Sequence, residues 1–257
     1  MDFLWYLLVL LLPSCCPFVL RSTHTTSWIQ LSSSSIDPYE SFSVFDKFLF
    51  NRFSSSVYNE LSTPINSTRT TNKYDKPADN YNNLIEMINY MTHSRPIKQV
   101  NKQGTNMLVK LFPPGLLPTY KLTFAKFPKF SAWMNTWVTF YTTQWLMGSS
   151  KVEDLVINND GIVTIEKENL LVIEKCRFLE TSKCVKTCIH ACKLPTQNFF
   201  HDEMGLPVTL QPNLTDYSCK FEFGKMPLPL EQDEISRAPC ILDCSTRNNR
   251  ENCMITS

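Results

Sequence analysis

Apolar positions recur at helical spacing through the first half of the chain, and short apolar runs separated by turn residues follow it. Asp37-Pro38-Tyr39 opens a stretch punctuated by Phe42, Phe45, Phe48, Phe50 and Phe53. Phe45, Phe48 and Leu49 stand at i, i+3 and i+4, the mark of an amphipathic helix within 36–53. Ser54 to Pro77 is polar and reads as a loop. A second helix is predicted from an N-cap at Asp79 to Met91, with Leu84, Ile85, Met87, Ile88 and Met91 on its buried side. Arg95-Pro96 ends it, because proline pushes the residue before it out of the helical region. A third helix is predicted from Ile97 to Phe112, stopped by Pro113-Pro114.

Leu116 to Met147 is the most apolar part that follows, with Phe124, Phe127, Phe130, Trp133, Trp137, Phe140, Tyr141 and Trp145. Its only charges are Lys121, Lys126 and Lys129. Pro118 and Pro128 divide it, so neither piece reads as a membrane-spanning helix. Two readings stand: a buried helical pair, or a wall on which Trp133, Trp137, Phe140 and Trp145 receive a long apolar ligand or meet a membrane surface.

After Gly148 the period changes. Leu155-Val156-Ile157 and Ile162-Val163-Thr164-Ile165 flank Asn158-Asn159-Asp160-Gly161, which predicts a β-hairpin with an Asp-Gly turn. Leu170 to Ile173 adds strand character, Phe178 to Lys193 a helix, and Gly205 to Phe223 loops and short strands. The fold class is therefore α+β: a mainly helical region, 36–148, packed on a small cysteine-rich α/β C-terminal unit, 149–257. Residues 1–35 read as a leader outside the fold. Phe3 to Leu12 is an apolar run too short to span a bilayer, and Ser22 to Ser35 is rich in hydroxyls and free of acids. A secretory signal and a plastid transit peptide both fit part of that pattern, although Asp2 stands where a secretory signal is basic.

Composition narrows the chemistry. A formal net charge of +1 over 257 residues gives no footprint for nucleic acid. Six glycines against 16 prolines leave neither a G-x-G-x-x-G nor a Walker loop. The ten cysteines are unevenly placed: Cys15 and Cys16 lie in the leader, residues 17–175 have none, and eight follow, from Cys176 to Cys253.

Those eight are Cys176, Cys184, Cys188, Cys192, Cys219, Cys240, Cys244 and Cys253. Clustering of this kind fits a metal centre better than a disulfide framework that staples a whole small domain. Cys184, Cys188 and Cys192 stand at i, i+4 and i+8, one stripe on a helix. The outer two would be ~12 Å apart along the axis. One ion therefore takes at most two of them unless the helix breaks. Cys240 and Cys244 repeat the spacing after Pro239. Structural zinc, iron or an iron–sulfur cluster, and disulfides or free thiols all remain open on spacing alone, with His190 and His201 as further donors. Among nearby acids, Glu180 reads as a helix-start residue and Asp216 as a turn cap, and no catalytic acid or base is singled out.

The ordered set Glu174-Lys175-Cys176-Arg177-Phe178-Leu179-Glu180, Cys184, Cys188-Ile189, Cys192-Lys193-Leu194-Pro195-Thr196-Gln197, Phe199-Phe200, Asp216-Tyr217-Ser218-Cys219, Phe221 and Pro239-Cys240 resembles the C-terminal domain of the plant β-carotene isomerase family, the "dwarf twenty-seven" type. Leu111-Phe112-Pro113-Pro114 and Gln144-Trp145-Leu146-Met147-Gly148 fit the same family upstream. The resemblance implies a plastid enzyme containing iron, with zinc as the alternative metal. It further implies cis/trans isomerisation of a carotenoid, all-trans-β-carotene to its 9-cis isomer for strigolactone or related apocarotenoid synthesis. A subset of Cys176, Cys184, Cys188, Cys192, Cys219, Cys240 and Cys244 would then be the metal ligands. The partner it implies is a carotenoid, and the aromatic face of 116–147 adds peripheral contact with a plastid membrane as an expectation. Two rivals from other classes are an iron–sulfur electron carrier and a secreted disulfide-bonded binding protein, the latter drawing on the leader and on sequons at Asn66 and Asn213.

Overall fold

The structure is a computed structural model that describes residues 43–63, 73–159, 162–241 and 244. The leader, the Asp160-Gly161 turn, Asn66 and Cys253 lie outside the described residues. Residues 42–257 form one compact unit, with helices first and a four-stranded antiparallel sheet after them, the expected α+β class.

Helix α1 spans Val44–Leu61 and starts in a capping box, Ser43 Oγ accepting from Asp46 N while the Asp46 carboxylate accepts from Ser43 N. It runs straight through the serines that read as a loop. Ser54 and Ser56 are buried, and their hydroxyls donate to the Ala78 and Met107 carbonyls, while Val57 and Leu61 keep the apolar period. Those distant acceptors hold serines inside a helix that sequence reading ended at Phe53. Helix α2, Tyr81–Ser94, is capped by Asn80 rather than Asp79, and Asp79 instead accepts from Asn83 Nδ2. Its Leu84, Ile85, Met87, Ile88 and Met91 are all buried, each stabilising the fold by about 1.5–3 kcal/mol.

Helix α3, Ile97–Val109, follows Pro96 and tightens into i→i+3 bonds from Leu111 and Phe112, so it stops short of Phe112. Helices α4, Leu116–Phe124, and α5, Pro128–Met147, form a hairpin, with Pro118 in the first turn of α4 and Pro128 opening α5, positions where a missing N–H costs nothing. Tyr120 ties the pair together, its hydroxyl 2.5 Å from Ser131 Oγ and accepting from Asn135 Nδ2 at 2.6 Å.

Strands β1, Ser150–Asn159, and β2, Ile162–Ile173, make the expected hairpin, and 170–173 is the end of β2, carried past an irregularity in the pairing between Glu153 and Leu155. Helix α6, Arg177–Ser182, ends where Lys183 turns left-handed at φ 49°. A longer helix, α7, covers 185–203. Pro195 has no N–H to close the ladder on Ala191. The helix answers with a π stretch, Cys188–Lys193, in which Leu194 N donates to Ile189 O, and with a second, Phe199–Glu203. Strands β3, Val208–Pro212, and β4, Cys219–Phe223, complete a sheet of order β1-β2-β4-β3. Leu171 pairs with Phe221 and Ile173 with Cys219, so these four side chains lie on one face, together with Leu210 opposite Phe221. That face and the helices share one core.

Candidate functional site

Four thiols meet at the end of the sheet, each delivered by a different local device. Cys176 follows β2 and precedes α6, its N–H bonded to Tyr217 O at 2.7 Å. Cys219 opens β4, its register set by an Asp216 carboxylate that accepts from Ser218 N at 2.8 Å. Asp216 is thus the turn cap the sequence implied. Cys188 and Cys192 come from the first π stretch of α7. Together they line a cavity of ≈ 10 Å³, room for about one water, whose other walls include Met147, Phe178, Leu179, Lys193, Leu210 and Phe221.

The surroundings are dry, and that sets the thiol chemistry. Burial pushes Cys188 and Cys219 well above the ordinary cysteine range, the half-buried Cys192 to about 12, and Cys176 upward as well; neighbouring thiols add to the rise at Cys188, Cys192 and Cys219, and Glu180 adds to it at Cys176. Lys193 opposes part of the shift at Cys188 and Cys219. Its ammonium is buried and paired with Asp233 from the turn between Leu230–Gln232 and Glu234–Arg237. At neutral pH the four sulfurs are therefore neutral S–H groups and weak nucleophiles. The donor set suits a thiophilic metal in kind. In placement it does not: among the described residues no group of three His, Cys, Asp or Glu side chains is arranged to hold an ion.

The remaining expected donors lie elsewhere. Cys184 caps α7 and meets His93, Sγ to Nε2 3.4 Å, away from Cys188 and Cys192 because Lys183 breaks the helix. Cys240 and Cys244 do not line the cavity. His190 is buried against Asn101, Nδ1 to Oδ1 3.1 Å, and His201 is exposed beside Asp202. Glu180 is exposed and paired with Lys175. Cys176, Cys184, Cys188, Cys192 and Cys219 are free thiols, not half-cystines.

The aromatic residues separate into two sets. Trp145 faces the core: it packs edge-on against Phe50 and Phe53, at 5.9 and 5.8 Å, and its indole donates to Thr142 O. It cannot face an external ligand, a correction to the expectation placed on it. Trp133 and Trp137 lie on the outer side of α5, and both indole N–H groups donate to one carboxylate oxygen of Glu168, at 2.6 and 3.0 Å. Glu168 sits in β2 at φ 55°, its own N–H held by Asp154 Oδ1. Phe140 is half-buried and contacts both Trp137 and Tyr141. Glu168 and Lys193 were not legible as site residues, since each owes its place to contacts between elements far apart in sequence.

Residues 145–232, which hold the sheet, α6, α7 and all four cavity thiols, match the family model for the C-terminal part of β-carotene isomerase D27-like proteins. Over that span the chain is similar to D27-like proteins. It is 29% identical over 197 residues to a chloroplastic β-carotene isomerase D27 of Arabidopsis thaliana, covering 77% of this chain and 72% of that one. Against the protein of the same name from Medicago truncatula it is 29% identical over 207 residues, 80% of this chain and 75% of the other. No solved structure matches the chain. The D27-like match ends before Cys240 and Cys244, so the thiols it encloses are Cys176, Cys184, Cys188, Cys192 and Cys219.

Proposed function

We propose that this protein is a plastid carotenoid cis/trans isomerase that turns one double bond of all-trans-β-carotene to give the 9-cis isomer, a precursor for strigolactone or related apocarotenoid synthesis. The observation that carries the reading is the likeness, over 77% of the chain, to a relative named as a chloroplastic β-carotene isomerase. Turnover near one event per second needs a barrier of ~17 kcal/mol. The polyene bond order must therefore be lowered transiently while one part of the molecule is held and the other turns. The thiol cavity holds about one water and cannot contain a C40 chain. The outer side of α5 can support one: 20 residues of helix extend ~30 Å, and Trp133, Trp137, Phe140 and Tyr141 offer ring faces along it. Their role in this reading is to bind the polyene and exclude water while Glu168 holds the two indoles in register.

A thiophilic metal, iron or zinc, at Cys176, Cys188, Cys192 and Cys219 is proposed with it. Loading would have to strip protons from buried thiols and draw the sulfurs together, so it belongs to a rearranged state of this site. The test is direct. The purified chain is incubated with all-trans-β-carotene and the isomers are separated by chromatography, alongside metal analysis of the same sample. Formation of the 9-cis isomer that falls at least tenfold in a Trp133→Ala/Trp137→Ala protein supports the reading. An unchanged isomer ratio with folded protein refutes it.

A further inference from the structure

Helix α5 is built inside out. Its buried positions from Ser131 to Thr139 are mostly small or polar, Ser131, Ala132, Met134, Asn135, Thr136 and Thr139, with Trp145 and Met147 buried at its C-terminal end, and it packs against β1, β2 and β4. Thr136 and Asn135 satisfy themselves on carbonyls four residues back, so the helix presents a smooth, small-residue face to the sheet. The rings between Phe127 and Tyr141 point the other way or lie half-buried, and only Trp145 turns inward. Leu122, Phe127, Phe130, Trp133 and Tyr141 are 73%, 62%, 44%, 39% and 64% exposed. They form a connected surface: Phe124, Phe130 and Trp133 follow one another at ring distances of 6.1 and 5.8 Å, and Trp137 stacks on Tyr141 at 5.9 Å. A water-facing helix that buries mostly small residues over its first three turns and leaves Phe130, Trp133 and Tyr141 exposed is matched to a solvent other than water.

Charge says which solvent. No Asp or Glu occurs between Glu86 and Glu153, while Arg95, Lys98, Lys102, Lys110, Lys121, Lys126, Lys129 and Lys151 do. Lys126 and Lys129 flank Phe127 at the α4–α5 corner and are exposed. Among the acids beside the stripe, Glu166 pairs with Lys129, Glu168 accepts from the two indoles, and Asp154 accepts from Glu168 N. Among the described residues no helix is long and apolar enough to cross a membrane. A second copy of the chain would bring the same lysines against themselves.

We propose that the outer stripe of α5 and the α4–α5 corner dock on the surface of an anionic lipid bilayer, with the rings at headgroup depth, Lys126 on the lipid charges, and Lys129 exchanging its pair with Glu166 for a lipid headgroup. The inference deepens the isomerase reading and rests on it only for the purpose of docking, which is access to a substrate dissolved in lipid. Its test contains no carotenoid, so either can fail alone.

The full chain is mixed with vesicles of phosphatidylcholine, with and without phosphatidylglycerol, and floated through a density gradient. The wild type should bind the anionic vesicles and release in high salt. Lys126→Gln/Lys129→Gln should bind about fivefold more weakly per lysine removed. Phe127→Ser/Tyr141→Ser, at two of the most exposed positions, should lose about tenfold or more while keeping its thermal midpoint. Trp133→Phe/Trp137→Phe should lose the fluorescence quenching that brominated lipids cause in the wild type. If both binding variants match the wild type and quenching is unaltered, any vesicle binding comes from elsewhere in the chain and the proposal is wrong. It is equally overturned if the wild type ignores anionic vesicles and light scattering shows a dimer that Phe127→Ser/Tyr141→Ser makes monomeric.

Discussion

Gly104→Ala offers a test of how tightly the helical half holds the thiol-bearing helix. Gly104 lies inside α3, where Ala would ordinarily stabilise the helix by about 1 kcal/mol. Here the added methyl would stand 2.5 Å from Pro195 Cγ, 2.8 Å from Pro195 Cβ and 3.6 Å from the Ala191 carbonyl oxygen. Carbon atoms in contact prefer ~3.5–4.0 Å. The overlap therefore exceeds an ångström against a rigid ring fixed in a helix, and α3 and α7 must separate. Overpacking of this kind costs about 1–3 kcal/mol, and a ring that cannot rotate away puts the cost near ~3. Net of the propensity gain, the variant should be less stable by ~2 kcal/mol, a drop of about 4–8 °C in thermal midpoint for a domain of this size. Urea unfolding read by far-UV circular dichroism gives the same quantity at constant slope. A midpoint equal to or above that of the wild type would refute the close α3–α7 approach. Because Pro195 sits just past the π stretch carrying Cys188 and Cys192, the same variant should also lower isomerase turnover.

Two further outcomes follow from the buried groups. Cys188, Cys192 and Cys219 keep their protons to higher pH in the folded state than unfolded, so the stability they confer is complete below about pH 9 and is lost as pH rises, for Cys192 up to about 12. Urea midpoints in reductant should be level from pH 7 to 8 and fall above 9, by at most ~1.4 kcal/mol per pH unit per thiol. The fall should be shallower in Cys219→Ala, and a midpoint that rises with pH contradicts the burial. Lys193→Met leaves Asp233 without the cation it packs against and should cost about 3 kcal/mol or more, with much of the loss recovered by adding Asp233→Asn. Two single variants as stable as the wild type would show the pair to be exposed in solution.

The sequence by itself determined the local elements. The spacing of Leu84, Ile85, Met87, Ile88 and Met91 admits only one buried helix face. Prolines at 96, 113, 114 and 128 punctuate the chain where they must, because a missing N–H is tolerated only at helix starts and turns. Two runs rich in β-branched residues, 155–157 and 162–165, on either side of Asn158-Asn159-Asp160-Gly161 specify a hairpin. The order of cysteines and their neighbours carried the resemblance to β-carotene isomerase D27-like proteins, whose family model matches residues 145–232. Where elements met was another matter. Serines 54–56 look like loop until the Ala78 and Met107 carbonyls are brought to two of their hydroxyls. The i, i+4, i+8 cysteine stripe looks like one set until Lys183 turns left-handed and sends Cys184 to His93.

Tertiary structure alone decided that Cys176 and Cys219, 43 positions apart in the numbering, complete the group with Cys188 and Cys192. It also decided that Trp145 turns inward while Trp133 and Trp137 turn outward onto Glu168. The physical reason is the same in each case. Periodicity records which face of an element avoids water, but a partner that satisfies a hydroxyl, fills a contact or repels a charge is chosen by packing between segments, and no short window of sequence contains both sides of that contact.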